Sequence, residues 1–177
     1  MRFILFAEED KKKYGDVILK MLRDGDNDFV PPLSCRSSTT QKELSASAAL
    51  SGVDGIKLYF DEMIKQNVFA CIEGDKLLGF VSFRENYICE QIDETGLPNI
   101  YLSTLIVSPE ARGRGLTKKM YLSLFDELYA EHNIFTRTWS TNDAHIAILG
   151  KFGFCEISRL KDHRGAGIDT VYFAKMR

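Results

Sequence analysis

The stretch Val107-Ser108-Pro109-Glu110-Ala111-Arg112-Gly113-Arg114-Gly115-Leu116-Thr117 combines residue types and spacing suited to holding an anion. An apolar run ends at Val107, Pro109 starts a turn, and two glycines bracket the opening of a strongly patterned helix. Glycine at such a place lets the backbone approach a ligand with no Cβ in between. Free N–H groups at a helix start, together with the positive end of the helix dipole, attract negative charge. Arg112 and Arg114 add to it, so the expected ligand is a phosphate or pyrophosphate. The spacing is neither a Walker A loop nor a dinucleotide fingerprint. A plain tight turn remains a second reading. An arginine–glycine RNA-binding element is a third, but it lacks interleaved aromatic residues.

Other chemistry is poorly supported. The chain carries 23 Lys+Arg against 25 Asp+Glu, a net charge of −2, with none of the basic excess typical of proteins that live on nucleic acid. Cys35, Cys71, Cys89 and Cys155 are far apart and form no C-x-x-C pair, so they read as scattered buried thiols of a reducing compartment. His132, His145 and His163 show no metal-ligand spacing. Asp24, Asp26 and Asp28 imitate the start of a calcium loop, but Phe29 and Cys35 stand where that loop needs glycine and glutamate. No metal site is expected. The N-terminal apolar run, residues 3–7, is shorter than a signal peptide requires, and no run approaches a membrane span. A cytoplasmic protein with no membrane or nucleic-acid partner is expected.

With 177 residues, 45% of them hydrophobic and 27% charged, one globular domain over 1–177 is expected, large enough to need no disulfide. Residues 2–7 read as a strand buried on both sides, and 8–23 as a helix with Tyr14, Val17, Ile18, Met21 and Leu22 on one face. Residues 34–54, rich in Ser, Thr and Ala, read as loop, and 55–66 as a helix. Two apolar runs, 68–72 and 77–83, flank Gly74-Asp75-Lys76 as in a hairpin. Residues 101–107 form another strand. Helical spacing is clearest over 114–131, where Leu116, Met120, Leu124 and Leu128 recur every four residues beside Tyr121 and Phe125. A strand at 134–140, a helix at 143–152 and strands at 154–160 and 170–176 complete an α/β (α+β) order around one mixed sheet.

In this setting residues 112–117 resemble the (Q/R)-x-x-G-x-(G/A) acyl-CoA motif of the GNAT (GCN5-related N-acetyltransferase) superfamily, with Thr117 replacing the final small residue. Asn142, followed eleven residues later by Gly153-Phe154, is similar to that family's second motif. The likeness covers about residues 68–176 and extends to the N-terminal βαα. It implies a mixed, centrally splayed sheet of about seven strands with about four helices, and acetyl-CoA as co-substrate. It also implies that the backbone of Leu105, Ile106 and Val107 pairs with the pantetheine arm. Arg112, Gly113, Arg114, Gly115, Leu116 and Thr117 would then hold the pyrophosphate, and Asn142 would touch the cofactor. The reaction implied is acetyl transfer to an amine.

Amine acylation needs a proton removed from the acceptor and one returned to the leaving sulfur. The family often supplies a tyrosine four residues before the G-F glycine and a glutamate on the central strand. Leu149 and Ser103 occupy those positions here. His145, on the second motif, is a substitute acid, although a half-exposed helix histidine is the plainer reading. Glu85 and Glu90 follow the third strand, where a carboxylate would reach the acceptor through water, yet both also read as surface charges. Cys155 reads as a small buried residue, and Trp139 and Tyr101 as core. The sequence therefore supports an N-acyltransferase working in a ternary complex on a small-molecule or peptide amine, with a non-catalytic acyl-CoA-binding module as the alternative. A homodimer is compatible with either. Residues 24–54 and 161–169 are expected to shape the acceptor site.

Overall fold

The computed structural model describes residues 1–39, 41, 42, 44, 54–90 and 98–177. The apolar runs become strands β1 (Arg2–Leu5), β2 (Asn67–Glu73), β3 (Lys76–Glu85), β4 (Asn99–Val107), β5 (Asn133–Trp139), β6 (Cys155–Leu160) and β7 (Thr170–Lys175). The helices are α1 (Glu8–Asp24), α2 (Gly55–Met63), α3 (Leu116–Leu122) and α4 (Asp143–Lys151). The seven described strands form one sheet in the order β1-β2-β3-β4-β5-β7-β6. Neighbours are antiparallel except β4 and β5, which run parallel. This is the mixed sheet with four helices that the motifs imply. Of the loop expected over 34–54, residues 40, 43 and 45–53 lie outside the described residues.

The unbroken apolarity of β2 and β3 is explained by helices on both faces. Phe69, Cys71, Val81 and Phe83 pack with Met120 and Phe125, on the side covered by α3 and α4. Val68, Ala70, Ile72 and Phe80 pack with Ile18 and Leu22 of α1 and Tyr59 and Met63 of α2. Each fully buried aromatic or leucine contributes roughly 1.5–3 kcal/mol by leaving water, so the two apolar layers fix the sheet firmly between the helices.

Three expectations need correction. The strand at the N-terminus is not buried on both sides: β1 is an edge strand paired only with β2, and its Arg2 and Leu5 are exposed. The long helix does not begin at 114, because Gly113 and Gly115 both have positive φ, which helical backbone excludes. Nor does it stay regular to 131. After Leu122 the chain widens into a π-helical segment, Ser123–Leu128, whose last turn closes with the Tyr129 N–H donating to the Leu124 carbonyl at 2.9 Å. The changed phase buries Leu124 and Phe125 together and leaves Leu128 half in solvent. Finally, Cys155 is exposed rather than buried, since it starts β6, the other edge strand.

Candidate functional site

Residues 99–102 of β4 pair with 133–136 of β5, and beyond them the two strands part. A cavity of 310 Å³ opens through this gap. Backbone groups in a strand alternate between its two edges. The Ser108 N–H donates to the Leu78 carbonyl at 2.9 Å, toward β3, and Ile106 lies opposite Phe80 in the same register. The amides of Leu105 and Val107 therefore point the other way, into the gap. Of the three residues named for the pantetheine arm, Ile106 has its backbone directed to β3 and its side chain buried against the α1–α2 layer.

At one end of the cavity, residues 109–117 make the connection between β4 and α3. Gly113 and Gly115 have φ of +76° and +68°, and Gly115 caps α3. Only glycine takes such angles without strain, and an added Cβ at either position would meet nothing within 4 Å. The loop thus holds a bare, open backbone surface rather than a packed turn. Arg112 bonds Asp28 at 2.6 Å and Arg114 bonds Glu73 at 2.9 Å, so both arginines already have exposed acidic partners. Arg112 and Thr117 line the cavity, as does Asn142. The Asn142 Oδ1 accepts from the His145 N–H as the cap of α4, and its Nδ2 donates to Thr138 at 3.0 Å.

In the cavity wall the Tyr121 hydroxyl lies 2.9 Å from His145 Nε2. Burial pushes His145 down to about 4, so its imidazole is neutral near pH 7. Burial alone raises the Tyr121 phenol, which therefore keeps its proton. An unfolded histidine titrates near 6.5. The folded state binds fewer protons than the unfolded one between those values. Stability contributed by neutral His145 is therefore complete above 6.5 and lost as pH falls through about 4. Denaturant melts of His145→Gln against the parent should show a shallower decline over that window.

The far end is built from β4 side chains that face α2. The Tyr59 hydroxyl meets Thr104 Oγ1 at 2.7 Å, and Arg36, Arg137 and Arg164 line the wall around them. Ser103 sits in the gap with its Oγ buried and unpartnered. Leu149 is fully buried in the core and lines no part of the cavity. Glu90 is exposed, bonds Lys42 at 2.9 Å and lies in a neighbouring groove; Glu85 in the same groove accepts from the Tyr129 hydroxyl. Trp139, expected in the core, is only half-buried and lines the cavity, while Tyr101 is buried and lines it too. In the sequence Tyr121 was placed only beside the apolar stripe of the 114–131 helix, and the three arginines, which belong to no local motif, were passed over.

The model of the acetyltransferase (GNAT) family matches residues 43–154, more than half of the chain. The chain belongs to the GNAT acetyltransferase family. No curated protein sequence matches it. Solved structures with the same fold include a ribosomal-protein-alanine N-acetyltransferase from Brucella melitensis, 16% identical over 100% of both chains with a TM-score of 0.64. An N-acetyltransferase from Staphylococcus aureus Mu50 is 16% identical over 99% of each chain, TM-score 0.62. The protein yncA from Salmonella typhimurium, solved with its cofactor acetyl-CoA, is 15% identical over 99% of this chain and 93% of its own, TM-score 0.61.

GNAT enzymes use acetyl-CoA, and this site fits it in two respects. The open, positive-φ glycine loop leaves room for phosphate against its amides, and past residue 102 no described strand pairs with the β5-facing edge of β4, which leaves backbone groups for an extended amide-bearing arm. Among the described residues no helix is long and apolar enough to cross a membrane, and no acidic, cysteine or histidine group is placed to hold a metal ion.

Proposed function

We propose that this GNAT protein is an acetyl-CoA-dependent N-acyltransferase that moves the acetyl group to a primary amine by direct attack in a ternary complex. The supporting observation is a cavity at the β4–β5 gap, lined by Arg112 and Thr117, which flank the glycine loop, and by the polar groups Tyr59, Thr104, Arg36, Arg137 and Arg164. That shape accommodates two substrates meeting at the strand edge. Residues 112–117 hold the pyrophosphate, Leu105 and Val107 pair with the pantetheine arm, and Asn142 lines its path. When bound, acetyl-CoA supplies an acetyl group activated as a thioester.

The acceptor nitrogen forms the new C–N bond as the C–S bond breaks. One proton leaves nitrogen for solvent and one is given to sulfur, so the atoms balance. The unpaired β4 amides polarise the carbonyl oxygen as charge develops on it, which is the usual largest contribution to such reactions. Tyr121 holds the proton for sulfur at its hydroxyl, and neutral His145 orients that hydroxyl. Ser103 lies at the strand edge with an unused hydroxyl, while Glu90 stands too far out to act directly. Holding both reactants in one chamber supplies several kcal/mol on its own, about 7–11 in the best-oriented systems.

Asp28 is the one acidic side chain lining the cavity among the described residues, and Arg112 engages it. Among the described residues no carboxylate of the cavity is thus free to deprotonate the acceptor, and in this reading the amine arrives neutral. The rate with a lysine-like amine should rise with pH toward about 10, with no step near 6.5, because His145 is already neutral there. Release of CoA followed from pH 6 to 10 checks both features. The lack of a free base among the described residues also favours the second reading, a non-catalytic acyl-CoA-binding module. Binding of acetyl-CoA without acetylation of any amine in a broad panel at pH 8–9 would establish that module instead.

A further inference from the structure

Arg36, Arg137 and Arg164 come from three distant parts of the chain and converge on the chamber beyond the β4–β5 gap. Arg36 is 8% exposed and Arg164 4%, and Arg137 is half-buried. Neutral groups hold all three. Arg36 donates to the carbonyls of Val30 and Pro31, Arg137 to the Gln41 carbonyl and the Tyr172 hydroxyl, and Arg164 to the Val30 carbonyl and Thr170 Oγ1. Their guanidinium carbons lie 5.5 Å from the Phe29 ring centre for Arg36, 6.0 Å from that of Tyr172 for Arg137 and 5.8 Å from that of Trp139 for Arg164.

Among the described residues none of the three forms an ion pair. Three like charges gathered largely out of water with no carboxylate in direct contact are costly. The effect is visible at Arg164, which burial and the neighbouring Arg36 and Arg137 push down to about 9. A purely structural staple for the Val30 loop would need donors, not three full charges. The bonds made also leave Arg36 Nη1 and Arg164 Nη2 without an acceptor among the described residues. Guanidinium edges of this kind match the paired oxygens of a carboxylate or phosphate.

We propose that the acceptor carries an oxyanion, a carboxylate or a phosphate, seated among Arg36, Arg137 and Arg164 with its amine turned toward the unpaired edge of β4. This rests on the N-acyltransfer reading of the same cavity. The arrangement also assists the chemistry, because a nearby cluster of positive charge disfavours the ammonium form of the amine where no described carboxylate is free to act as base.

The test uses matched acceptor pairs: L-amino acids against their amides, and aminoalkyl phosphates against the corresponding amino alcohols, with CoA release as the readout. The acidic member of at least one pair should exceed its neutral twin in kcat/KM by about 10²-fold or more, and the two arms tell carboxylate from phosphate. Arg137→Gln should narrow that ratio by about tenfold or more, through KM for the acid, and Arg137→Lys should restore part of it. A merely structural role would lower both members alike. Equal rates for acids and neutral twins would overturn the proposal and leave acyl transfer standing. If no amine is acetylated, calorimetric titration of the same compounds onto CoA-saturated protein decides the matter. Binding of the acids alone, lost in Arg137→Gln, upholds the anion seat while acyl transfer fails, whereas equal or absent binding of both twins overturns it.

Discussion

Replacing Gly115 by valine should weaken acetyl-CoA binding by at least about 100-fold while the protein still folds. The φ of +68° at Gly115 places its peptide groups in an orientation that a β-branched residue adopts only under strain, on the order of 1–3 kcal/mol. Nothing lies within 4 Å of an added Cβ, so the fold itself has no clash to relieve. What fills the space is a side chain standing where the phosphates would approach. Strain relief would also rotate the amides of the loop away from the ligand. Calorimetry measures the loss directly. Thermal shift gives an independent check, since ligand at about 100 times its Kd stabilises the parent by roughly 2.7 kcal/mol and should stabilise the variant hardly at all. Gly115→Asn, whose side chain tolerates the left-handed region, should retain much more affinity. Binding undiminished by valine would remove the pyrophosphate assignment.

The shape of the glycine loop was legible in the sequence because its physics is local. Two glycines, a proline and a helix start within eleven residues determine a backbone shape by themselves, and the structure returns that shape with both glycines at positive φ. The strands and helices were legible for a related reason: apolar periodicity reports which faces meet a core, and most boundaries fall within two residues. Failures occurred where burial depends on what lies alongside. β1 has the composition of a central strand but sits at an edge, and Cys155 likewise begins an edge strand. The 114–131 helix reads as continuous, since the spacing of four that links Leu124 to Leu128 carries no sign that a π-helical segment will rotate Leu128 outward.

The arginine-lined end of the cavity was the least legible part. Arg36, Arg137 and Arg164 are separated by about a hundred residues and then by twenty-seven, and arginine alone in a sequence reads as surface charge. Only the parting of β4 from β5 and the return of the β6–β7 connection over the gap bring them together. Of residues 24–54 and 161–169, expected to shape the acceptor site, Phe29, Arg36 and Arg164 line the cavity. That expectation did not show that their charge would be gathered and buried.

Tyr121 was hidden for the opposite reason: its helical spacing places it in the core, where its ring does pack, so its hydroxyl went unnoticed. Tyr121→Phe should lower kcat by about 10²-fold and leave acetyl-CoA affinity unchanged. The substitution keeps the ring, and with it the contacts to Phe125 at 4.6 Å and Phe152 at 5.5 Å between ring centres, so the α3 core should hold. It removes only the hydroxyl that lies 2.9 Å from His145 Nε2 in the cavity wall. General acid help is worth about 10²–10⁴-fold, and a thiol with a pKa near 8.5 already leaves tolerably as thiolate, so the low end of that range is expected. His145→Ala should cost less than tenfold, since it disturbs the orientation of the hydroxyl without removing its proton. The two losses should not add, because both variants act on one hydrogen bond. Single-turnover rates with saturating acetyl-CoA separate this effect from product release. If Tyr121→Phe and His145→Ala both leave the rate intact, the sulfur takes its proton from solvent, and the cavity works by positioning and backbone polarisation alone.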